Sequence, residues 1–465
     1  METFGVVVIG AGPGGYPAAI RAAQLGASVA LVEREYLGGT CLNWGCIPSK
    51  TFINASSIYA QMKSLEKLGL KVEKPSFDYA AMAERKDTVV RTLRNGIKQL
   101  LAGNGVKVFE GTASYESRNR IAVNSKSGSV VIGAEKSIIA TGATAAMPGF
   151  LPRHERVLEN QAFLDLKSAP KSIIVLGGGV IGCEFACMLA QLGVKVTVVE
   201  LLEDILIVLD ADVRKELRRH MEKALGIRVL VGQGMENIKA DKKGVRGTVG
   251  GEVLEAEMLL AALGRKPVTQ ELHIENAGLN TNAQGFIEVD EYGRTQAATV
   301  YAIGDVTGGS QLAHVATSQG LVAAENACTR HLRKNEKCIP YCIFTSPEVG
   351  TAGLTEQEAK QKGLDVKTGK FNFSALGKGM AIDHTEGFVK WIADPVTGQL
   401  LGAQAIGAHA TELIAEAAAA IRAELTAAEL AQTIHSHPTL SEAWMECAHV
   451  LLGEAIHVVS RRAKK

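Results

Sequence analysis

The chain has 465 residues, 46% of them hydrophobic and 21% charged, with a formal net charge of +1. This length exceeds what one hydrophobic core supports, and the near-zero charge gives no reason to expect nucleic acid or an anionic membrane surface as a partner. No window offers about 18 uninterrupted apolar residues for a membrane span, and no leader precedes the first strand, so we expect a cytoplasmic protein or a processed organellar one.

The first predicted elements form a dinucleotide-binding unit. A buried strand over residues 4–9 leads into a glycine-rich turn, a helix over 16–25 and a second strand over 28–32 that ends at an acid. In such a unit the glycines let the backbone turn sharply and approach the pyrophosphate, the helix N-terminus supplies amide donors, and the acid accepts hydrogen bonds from ribose hydroxyls. The residues that carry this pattern are Gly10, Gly12, Gly14, Gly15 and Glu33.

Two cysteines, Cys41 and Cys46, follow at a spacing that fits neither a Cys-x-x-Cys redox turn nor a zinc site. On a regular helix their Cα atoms would lie roughly 8–9 Å apart, beyond the limit of about 7 Å for a disulfide. A bond between them therefore needs a distorted first turn, which Gly45 and Pro48 allow. A bond so placed would be easily reduced, which indicates a working redox pair. A structural or unpaired pair is the alternative.

The same unit recurs from residue 172. A strand over 172–176, a glycine-rich turn and a strand over 196–199 end at Glu200, and Gly177 precedes Glu200 by as many positions as Gly10 precedes Glu33. Two such units predict two bound dinucleotides. Residues 201–204 contain no Arg or Lys for a 2′-phosphate, which favours NAD(H) over NADPH. The residues assigned to this second site are Gly177, Gly179, Val180, Ile181, Gly182, Glu184, Glu200 and Gly264.

Two later strand ends fit the first nucleotide site. A strand over 137–141 runs into Gly142, and a strand over 299–303 runs into Gly304 and Asp305, whose carboxylate could bind ligand hydroxyls. Each loop taken alone is equally typical of an ordinary turn. The segment from Gln311 to His314 opens a helix, and the positive end of its dipole could stabilise a reduced ring system.

Near the C-terminus, His437, Pro438 and Thr439 precede Glu442 and a helix predicted from about Ala443. Thr439 and Glu442 fit a capping box, and a histidine beside a proline is usually a turn residue. A dithiol–disulfide reaction, however, needs a base that exchanges a thiol proton near neutral pH, and a histidine oriented by a carboxylate suits that role. His437 and Glu442 are therefore a candidate acid–base pair.

In order along the whole chain, these motifs resemble the dihydrolipoamide dehydrogenases of the pyridine nucleotide–disulphide oxidoreductase family. The resemblance implies an α/β fold with two Rossmann-like domains, at 1–147 for FAD and 148–268 for NAD, a central domain at 269–338 that completes the FAD site, and a C-terminal α+β interface domain at 339–465 that forms a homodimer. The resemblance implies that the enzyme oxidises dihydrolipoamide and reduces NAD⁺. The dihydrolipoamide would be carried by a separate lipoyl-bearing protein. The enzyme would serve 2-oxo acid dehydrogenase or glycine cleavage complexes.

The resemblance also implies roles for single residues. Cys41 looks like the thiol that attacks the substrate, and Cys46 like the thiol that faces the flavin. His437 resembles the base and Glu442 its orienting partner, and both would act on the disulfide of the partner subunit across a His437–Pro438 bond that is cis in the family. Trp44 departs from the smaller residues common in its loop. The residues implied for FAD, besides the first glycine turn and Glu33, are Lys50 (paired with Glu184), Gly111, Thr141, Gly142, Asp305, Gln311, Leu312, Ala313 and His314.

Alternative functions remain open from the sequence. Glutathione, trypanothione and mercuric reductases share the fold, but Glu200 disfavours those that use NADPH, and the chain end has no cysteine pair of the mercuric type. A flavin-bearing binding protein without disulfide turnover is a second alternative. No metal site is expected, since Cys338 and Cys342 lack a nearby His or Cys pair. The basic residues 461–465 are expected to form a solvated tail.

Overall fold

The structure is a computed structural model that describes residues 1–336 and 338–459. The basic end of the chain, for which a solvated tail is expected, lies outside the described residues. Within the described residues, none of the helices combines the length and the apolar character needed to cross a membrane.

Strands are numbered in chain order. They are β1 (Glu2–Ile9), β2 (Val29–Glu33), β3 (Lys107–Glu110), β4 (Thr112–Ser117), β5 (Arg120–Ser125), β6 (Gly128–Ile139), β7 (Ala143–Ala145), β8 (Val157–Leu158), β9 (Ser172–Leu176), β10 (Lys195–Val199), β11 (Arg228–Leu230), β12 (Glu236–Asp241), β13 (Gly244–Val249), β14 (Glu252–Ala256), β15 (Met258–Ala261), β16 (Arg265–Pro267), β17 (Val300–Ala302), β18 (Tyr341–Ile343), β19 (Glu348–Gly353), β20 (Lys367–Asn372), β21 (Phe388–Ala393) and β22 (Leu400–Gly407).

Helices are numbered in the same way. They are α1 (Gly15–Gln24), α2 (Gly39–Trp44), α3 (Cys46–Met62), α4 (Tyr79–Gly103), α5 (Asn160–Leu164), α6 (Val180–Gln191), α7 (Ala211–Lys223), α8 (Ala313–Cys328), α9 (Glu356–Gln361), α10 (Gly377–Ala381), α11 (Ala410–Arg422), α12 (Ala427–Gln432) and α13 (Glu442–Leu452).

The first glycine-rich turn lies at the carboxyl end of β1, a central strand of the first sheet. Its strand order is β3-β2-β1-β6-β5-β4, with β17 also beside β6. Ile9 pairs in parallel register with Val32 and with Ile139, and Ile139 pairs with Ala302, so the carboxyl ends of four strands lie side by side. The loops that follow these strands therefore meet at one edge, which is where open α/β sheets bind ligands.

The second sheet repeats this arrangement. Its parallel order is β11-β10-β9-β15-β8, and Leu176 pairs with Val199 and with Ala261. After their first residues, the central strands β9 and β15 are wholly apolar and buried, as expected for a sheet covered on both faces. The predicted α/β class with two dinucleotide-type units is confirmed. The domain boundaries remain predictions.

The C-terminal region is an antiparallel sheet, β18-β19-β22-β21-β20, covered by α11 and α13. Trp391 on β21 and Trp444 on α13 are fully buried against each other, with ring centroids 4.7 Å apart. The indole N–H of Trp391 donates to the carbonyl oxygen of Trp444 at 3.0 Å, so this contact leaves no buried donor unpaired. The packing fixes α13, which begins at Glu442, against the sheet.

A buried lysine joins this region to the second parallel unit. Lys390 on β21 is 2% exposed, and its Nζ lies 2.8 Å from carboxylate oxygens of Asp210, Asp212 and Glu356. Burial works to lower the pKa of Lys390, but its bonds to the three carboxylates outweigh burial and raise that pKa. The three carboxylates are close enough together to hold a metal ion, but the Lys390 ammonium already lies among them.

We expect Lys390→Met to lower the free energy of unfolding by about 3–5 kcal/mol, because removal of the lysine leaves the buried Asp210 carboxylate without a counter-charge. Lys370→Met is the matched control, since Lys370 is exposed and its contacts with Asp212 and the Phe388 ring lie at the surface of the lysine cluster, so its loss should cost about 1 kcal/mol or less. Urea unfolding followed by circular dichroism measures both. Equal effects of the two substitutions would contradict a specific role for the buried lysine.

Candidate active site

One large cavity, of about 920 Å³, joins the cysteine pair to residues of both nucleotide units. It opens at the carboxyl ends of the first sheet and reaches the start of α6 in the second unit. The predicted site residues that line it are Gly10, Gly12, Gly14, Glu33, Cys41, Cys46, Lys50, Gly111, Thr141, Gly142, Val180, Ile181, Glu184, Asp305, Gln311, Leu312, Ala313 and His314.

The cysteine pair lies at a break between two helices. Cys41 is in α2, Cys46 is the first residue of α3, and the two form a disulfide with their Cα atoms 4.6 Å apart. Gly45 separates the helices with φ −137° and ψ −112°, a conformation that side chains disfavour. A Cβ at Gly45 would also lie 3.0 Å from the Thr40 carbonyl oxygen. The expected distortion is therefore a full break at Gly45 and not a distorted turn within one helix.

The first glycine-rich turn leaves room for a ligand at its second glycine. Gly10 has φ +100°, and a Cβ there would overlap the backbone of Ala140. A Cβ at Gly15 would overlap the carbonyl of Gly10, so Gly15 allows α1 to pack closely on the turn. At Gly12, by contrast, a Cβ would meet only the Cα of Gly39, at 3.9 Å. The open backbone at Gly12 fits the place where such a turn holds a pyrophosphate.

The second turn has the same internal geometry. Gly177 has φ +106°, a Cβ at Gly182 would overlap the carbonyl of Gly177, and nothing lies within 4 Å of a Cβ at Gly179. The residues present therefore fit two dinucleotides, one at each turn. Five residues predicted for the second site lie outside the lining of the large cavity, namely Gly177, Gly179, Gly182, Glu200 and Gly264.

Each turn is tied to its acid by matching hydrogen bonds. Glu33 accepts from the backbone N–H groups of Ala11, at 2.8 Å, and Glu35, at 2.9 Å. Glu200 accepts from the N–H groups of Gly178, at 2.6 Å, and Leu202, at 2.8 Å. Each carboxylate keeps further lone pairs that can accept from ribose hydroxyls. The bonds hold the acid beside the turn, as a dinucleotide site requires.

An ion pair between a partly exposed lysine and a buried glutamate lies in the cavity wall between the two units. Lys50 on α3 donates to Glu184 on α6 at 2.8 Å, and Glu184 is 4% exposed. The other oxygen of Glu184 accepts from the backbone N–H of Phe344 at 2.9 Å, and the Lys50 Nζ lies 4.5 Å from the centre of the Phe344 ring. The sequence does not predict the contact of Phe344 with Glu184, because no local pattern indicates a contact between residues 160 positions apart.

Asp305 is held at the cavity by a second residue that the sequence did not indicate, Arg265. The two side chains form an ion pair at 3.3 Å. Burial raises the pKa of the Asp305 carboxyl, and the nearby Arg265 opposes that rise. His314, at the start of α8, donates its Nε2–H to the carbonyl oxygen of Pro340 at 2.8 Å.

The predicted acid–base pair forms at the start of α13. His437 Nδ1 lies 2.9 Å from Glu442 Oε1, and the other Glu442 oxygen accepts from the Thr439 N–H at 2.8 Å. Burial works against ionisation of Glu442, but the bonds from Thr439 and His437 hold the pKa of that carboxyl below its usual range. The His437–Pro438 peptide bond is cis.

The predicted capping box is wrong in one respect. The Thr439 hydroxyl donates to the carbonyl of Ser436 and does not cap the helix, because α13 begins only at Glu442, with Ser441 as its N-cap. One oxygen of the Glu442 side chain therefore orients His437, while the backbone of Glu442 begins α13. The His437 side chain is 76% exposed, and neither His437 nor Glu442 lines the cavity that holds the disulfide of its own chain.

The chain matches two family models that together span most of its length. Residues 4–320 match the pyridine nucleotide-disulphide oxidoreductase model, and residues 339–448 match the dimerisation domain of the same family. The chain belongs to this family. It is 42% identical to a dihydrolipoyl dehydrogenase of Chlamydia pneumoniae over 457 residues, which cover 98% of each chain, and 40% identical to one of Geobacillus stearothermophilus over 460 residues, with 98% and 97% covered.

Solved structures agree with this assignment. LpdA from Mycobacterium tuberculosis superposes with a TM-score of 0.90 at 27% identity, covering 97% of this chain and 99% of that one. The HOCl-induced flavoprotein disulfide reductase RclA from Escherichia coli superposes with a TM-score of 0.87 at 30% identity, covering 96% and 99%. This family member is therefore an oxidoreductase that uses FAD and NAD, and its dimerisation domain makes it a homodimer.

We expect Gly179→Ala to weaken NADH binding about tenfold while the protein still folds and keeps its FAD. The added methyl group enters open space, and the φ of −76° at Gly179 suits alanine, so the substitution opposes only the close approach of a ligand. Gly149→Ala is the control, because Gly149 also has open space around it but belongs to neither glycine-rich turn and does not line the large cavity. Fluorescence titration with NADH gives the Kd, and an unchanged Kd for Gly179→Ala would contradict the placement of NAD at this turn.

Proposed function

We propose that this family member oxidises dihydrolipoyl groups on a carrier protein to lipoyl groups and reduces NAD⁺ to NADH, as the dihydrolipoyl dehydrogenase component of 2-oxo acid dehydrogenase or glycine cleavage complexes. The observation that carries the proposal is the Cys41–Cys46 disulfide in one cavity with residues of both nucleotide units. The names of the relatives at about 40% identity support the substrate. A lipoyl-bearing partner and a cytoplasmic location are part of the same proposal.

The disulfide is the electron acceptor for the substrate. One substrate thiolate attacks the Sγ of Cys41, the Cys41–Cys46 bond breaks, and a mixed disulfide forms with release of the Cys46 thiolate. The second substrate thiol then attacks the first substrate sulfur, which is bonded to Cys41 in the mixed disulfide. This attack closes the lipoyl ring and releases the Cys41 thiolate. Two electrons pass from the substrate to the cysteine pair, and the substrate loses two protons. Cys46, at the start of α3, lies where the helix dipole favours a thiolate.

The proton acceptor for this exchange is His437 of the partner subunit. Glu442 accepts from the Nδ1–H of His437, which leaves Nε2 free to take a proton from a substrate thiol. The exposure of His437, and its position outside the cavity of its own chain, support an active site built from two subunits. The Thr439 N–H fixes the other oxygen of Glu442, so the imidazole keeps one orientation.

The remaining site residues would hold the two cofactors and place a positive charge between the two nucleotide units. FAD, when bound, supplies the two-electron carrier that connects the cysteine pair with NAD⁺. Gly12, Glu33 and Asp305 would hold FAD, and Gly179 and Glu200 would hold NAD. Lys50, paired with Glu184, places a positive charge in the cavity wall between the two units.

We expect the purified holoenzyme to form NADH from dihydrolipoamide and NAD⁺, and to react at least about a hundredfold more slowly with NADP⁺, because Glu200 would face the 2′-phosphate without a basic residue to neutralise it. NADH absorbance gives both rates. If dihydrolipoamide does not reduce the enzyme but NADH does, the substrate assignment is wrong, and reduction of glutathione disulfide becomes the next assay.

A hybrid-dimer experiment tests the sharing of the active site. We expect Cys41→Ala and His437→Ala to be nearly inactive as homodimers, but to regain about a quarter of the wild-type activity when the two chains are co-expressed in equal amounts. Half of the dimers would then be hybrids, each with one intact site. If His437 acts on the disulfide of its own chain, the hybrids have no intact site and activity does not return. Differently tagged chains allow the hybrid to be purified and assayed alone.

A further inference from the structure

We propose that Arg94 is a positioning residue that clamps α2 and keeps the two cysteines in register while their disulfide is open. The inference rests on the proposed function only in taking Cys41 and Cys46 as the working redox pair. In each turnover the Sγ–Sγ bond breaks, and the disulfide cross-link between α2 and α3 is lost, which leaves only the Gly45 backbone to join them. Other contacts must then hold the two thiols at bonding distance.

The helix that carries Cys41 cannot hold itself in place. α2 has only six residues, and its N-cap, Gly38, provides no side-chain hydrogen bond. Isolated helices of this length are unstable in water, so α2 depends on its neighbours. The long helix α4 lies against both α2 and α3, and so contacts both sides of the break.

Arg94 on α4 binds α2 through Asn43, the residue two positions after Cys41. Its Nε and Nη2 donate to Asn43 Oδ1 at 3.0 and 2.5 Å. The Asn43 amide nitrogen donates to the carbonyl oxygens of Leu37, at 3.1 Å, and Gly39, at 2.8 Å. Asn43 is 6% exposed, so without the guanidinium its Oδ1 would be a buried acceptor with no partner.

The same guanidinium also supports α2 from its aromatic side. Its Cζ lies 4.0 Å from the centre of the Tyr36 ring, and the Tyr36 ring meets the Trp44 ring with centroids 5.8 Å apart. Trp44 is the last residue of α2, and its carbonyl oxygen accepts from the Asn160 side chain at 2.7 Å. Arg94 thus holds α2 through a polar contact within the helix and an aromatic contact at its end. The large Trp44 is the residue that completes this second contact.

The clamp matters most in the reduced state. With the disulfide closed, the covalent bond fixes Cys41 against Cys46 whatever Arg94 does. With the disulfide open, loss of the clamp lets α2 move, and the two thiols spend less time at bonding distance. The clamp therefore favours the disulfide over the dithiol, and its removal makes the pair easier to reduce.

The test is the thiol–disulfide equilibrium of the holoenzyme with mixtures of reduced and oxidised dithiothreitol. Reduced dithiothreitol opens the Cys41–Cys46 bond and becomes a cyclic disulfide, while its two protons pass to the cysteines. Iodoacetamide traps the thiols, and mass spectrometry of the peptides counts the label on Cys41 and Cys46. We expect Arg94→Met to shift the equilibrium about tenfold toward the dithiol, and Arg94→Lys, which keeps the charge but not the planar fork, to shift it about threefold.

Arg91→Met is the matched control, because Arg91 is an exposed residue on the same helix whose guanidinium donates to the Thr88 hydroxyl, one turn away on α4 itself. It should leave the equilibrium unchanged. A merely structural contact of Arg94 would lower the melting temperatures of the oxidised and reduced proteins equally and would not move the equilibrium, and that result overturns the proposal. If Arg94→Met does not accumulate as folded protein, an equilibrium of Arg94→Lys equal to that of the wild type overturns it instead. The measurement uses no dihydrolipoamide, so it stands even if the proposed substrate is wrong.

Discussion

Three parts of the chain meet at one buried carboxylate, that of Glu184. It accepts from Lys50 on the helix that begins with Cys46, it belongs to the first helix of the second nucleotide unit, and it accepts from the Phe344 N–H just beyond β18. A charge so deeply buried is stable only when its partners are all in place. The contacts of Glu184 with Lys50 and with the Phe344 N–H therefore hold the first unit, the second unit and the C-terminal region together around the cavity.

Much of the site could be predicted because its chemistry is local in sequence. A glycine-rich turn between a buried strand and a helix needs few residues, and Gly10, Gly177 and the acids that follow them lie where that pattern puts them. The proximity of His437 to Glu442 is equally local, since five positions and the start of a helix join them. Parallel register then brings separate loops together, a step that follows from the fold class alone.

The rest could not be predicted because it depends on contacts between distant segments. Phe344 reaches Glu184, Arg94 reaches Asn43, and Arg265 reaches Asp305 only after the sheets have packed. The capping-box error has a related cause: the sequence motif is present, but α13 begins at Glu442 itself, so the Thr439 hydroxyl donates to the Ser436 carbonyl and does not accept from a helix N–H. The roles of the site residues depend on ligands and on a second subunit, which folding of one chain does not supply.

The matching bonds of Glu33 and Glu200 to the turns before them give the two nucleotide units the same local anchor. The two copies differ most in the connection after their second strand. In the first copy residues 34–106 contain the cysteines, α2, α3 and α4, whereas in the second copy residues 200–227 contain only a short loop and α7. The longer connection holds the reactive cysteines, while the two glycine-rich turns have similar geometry. The long first connection thus adds a redox pair to a nucleotide unit without changing its glycine-rich turn or its acid, since Gly10, Gly12 and Glu33 all precede it.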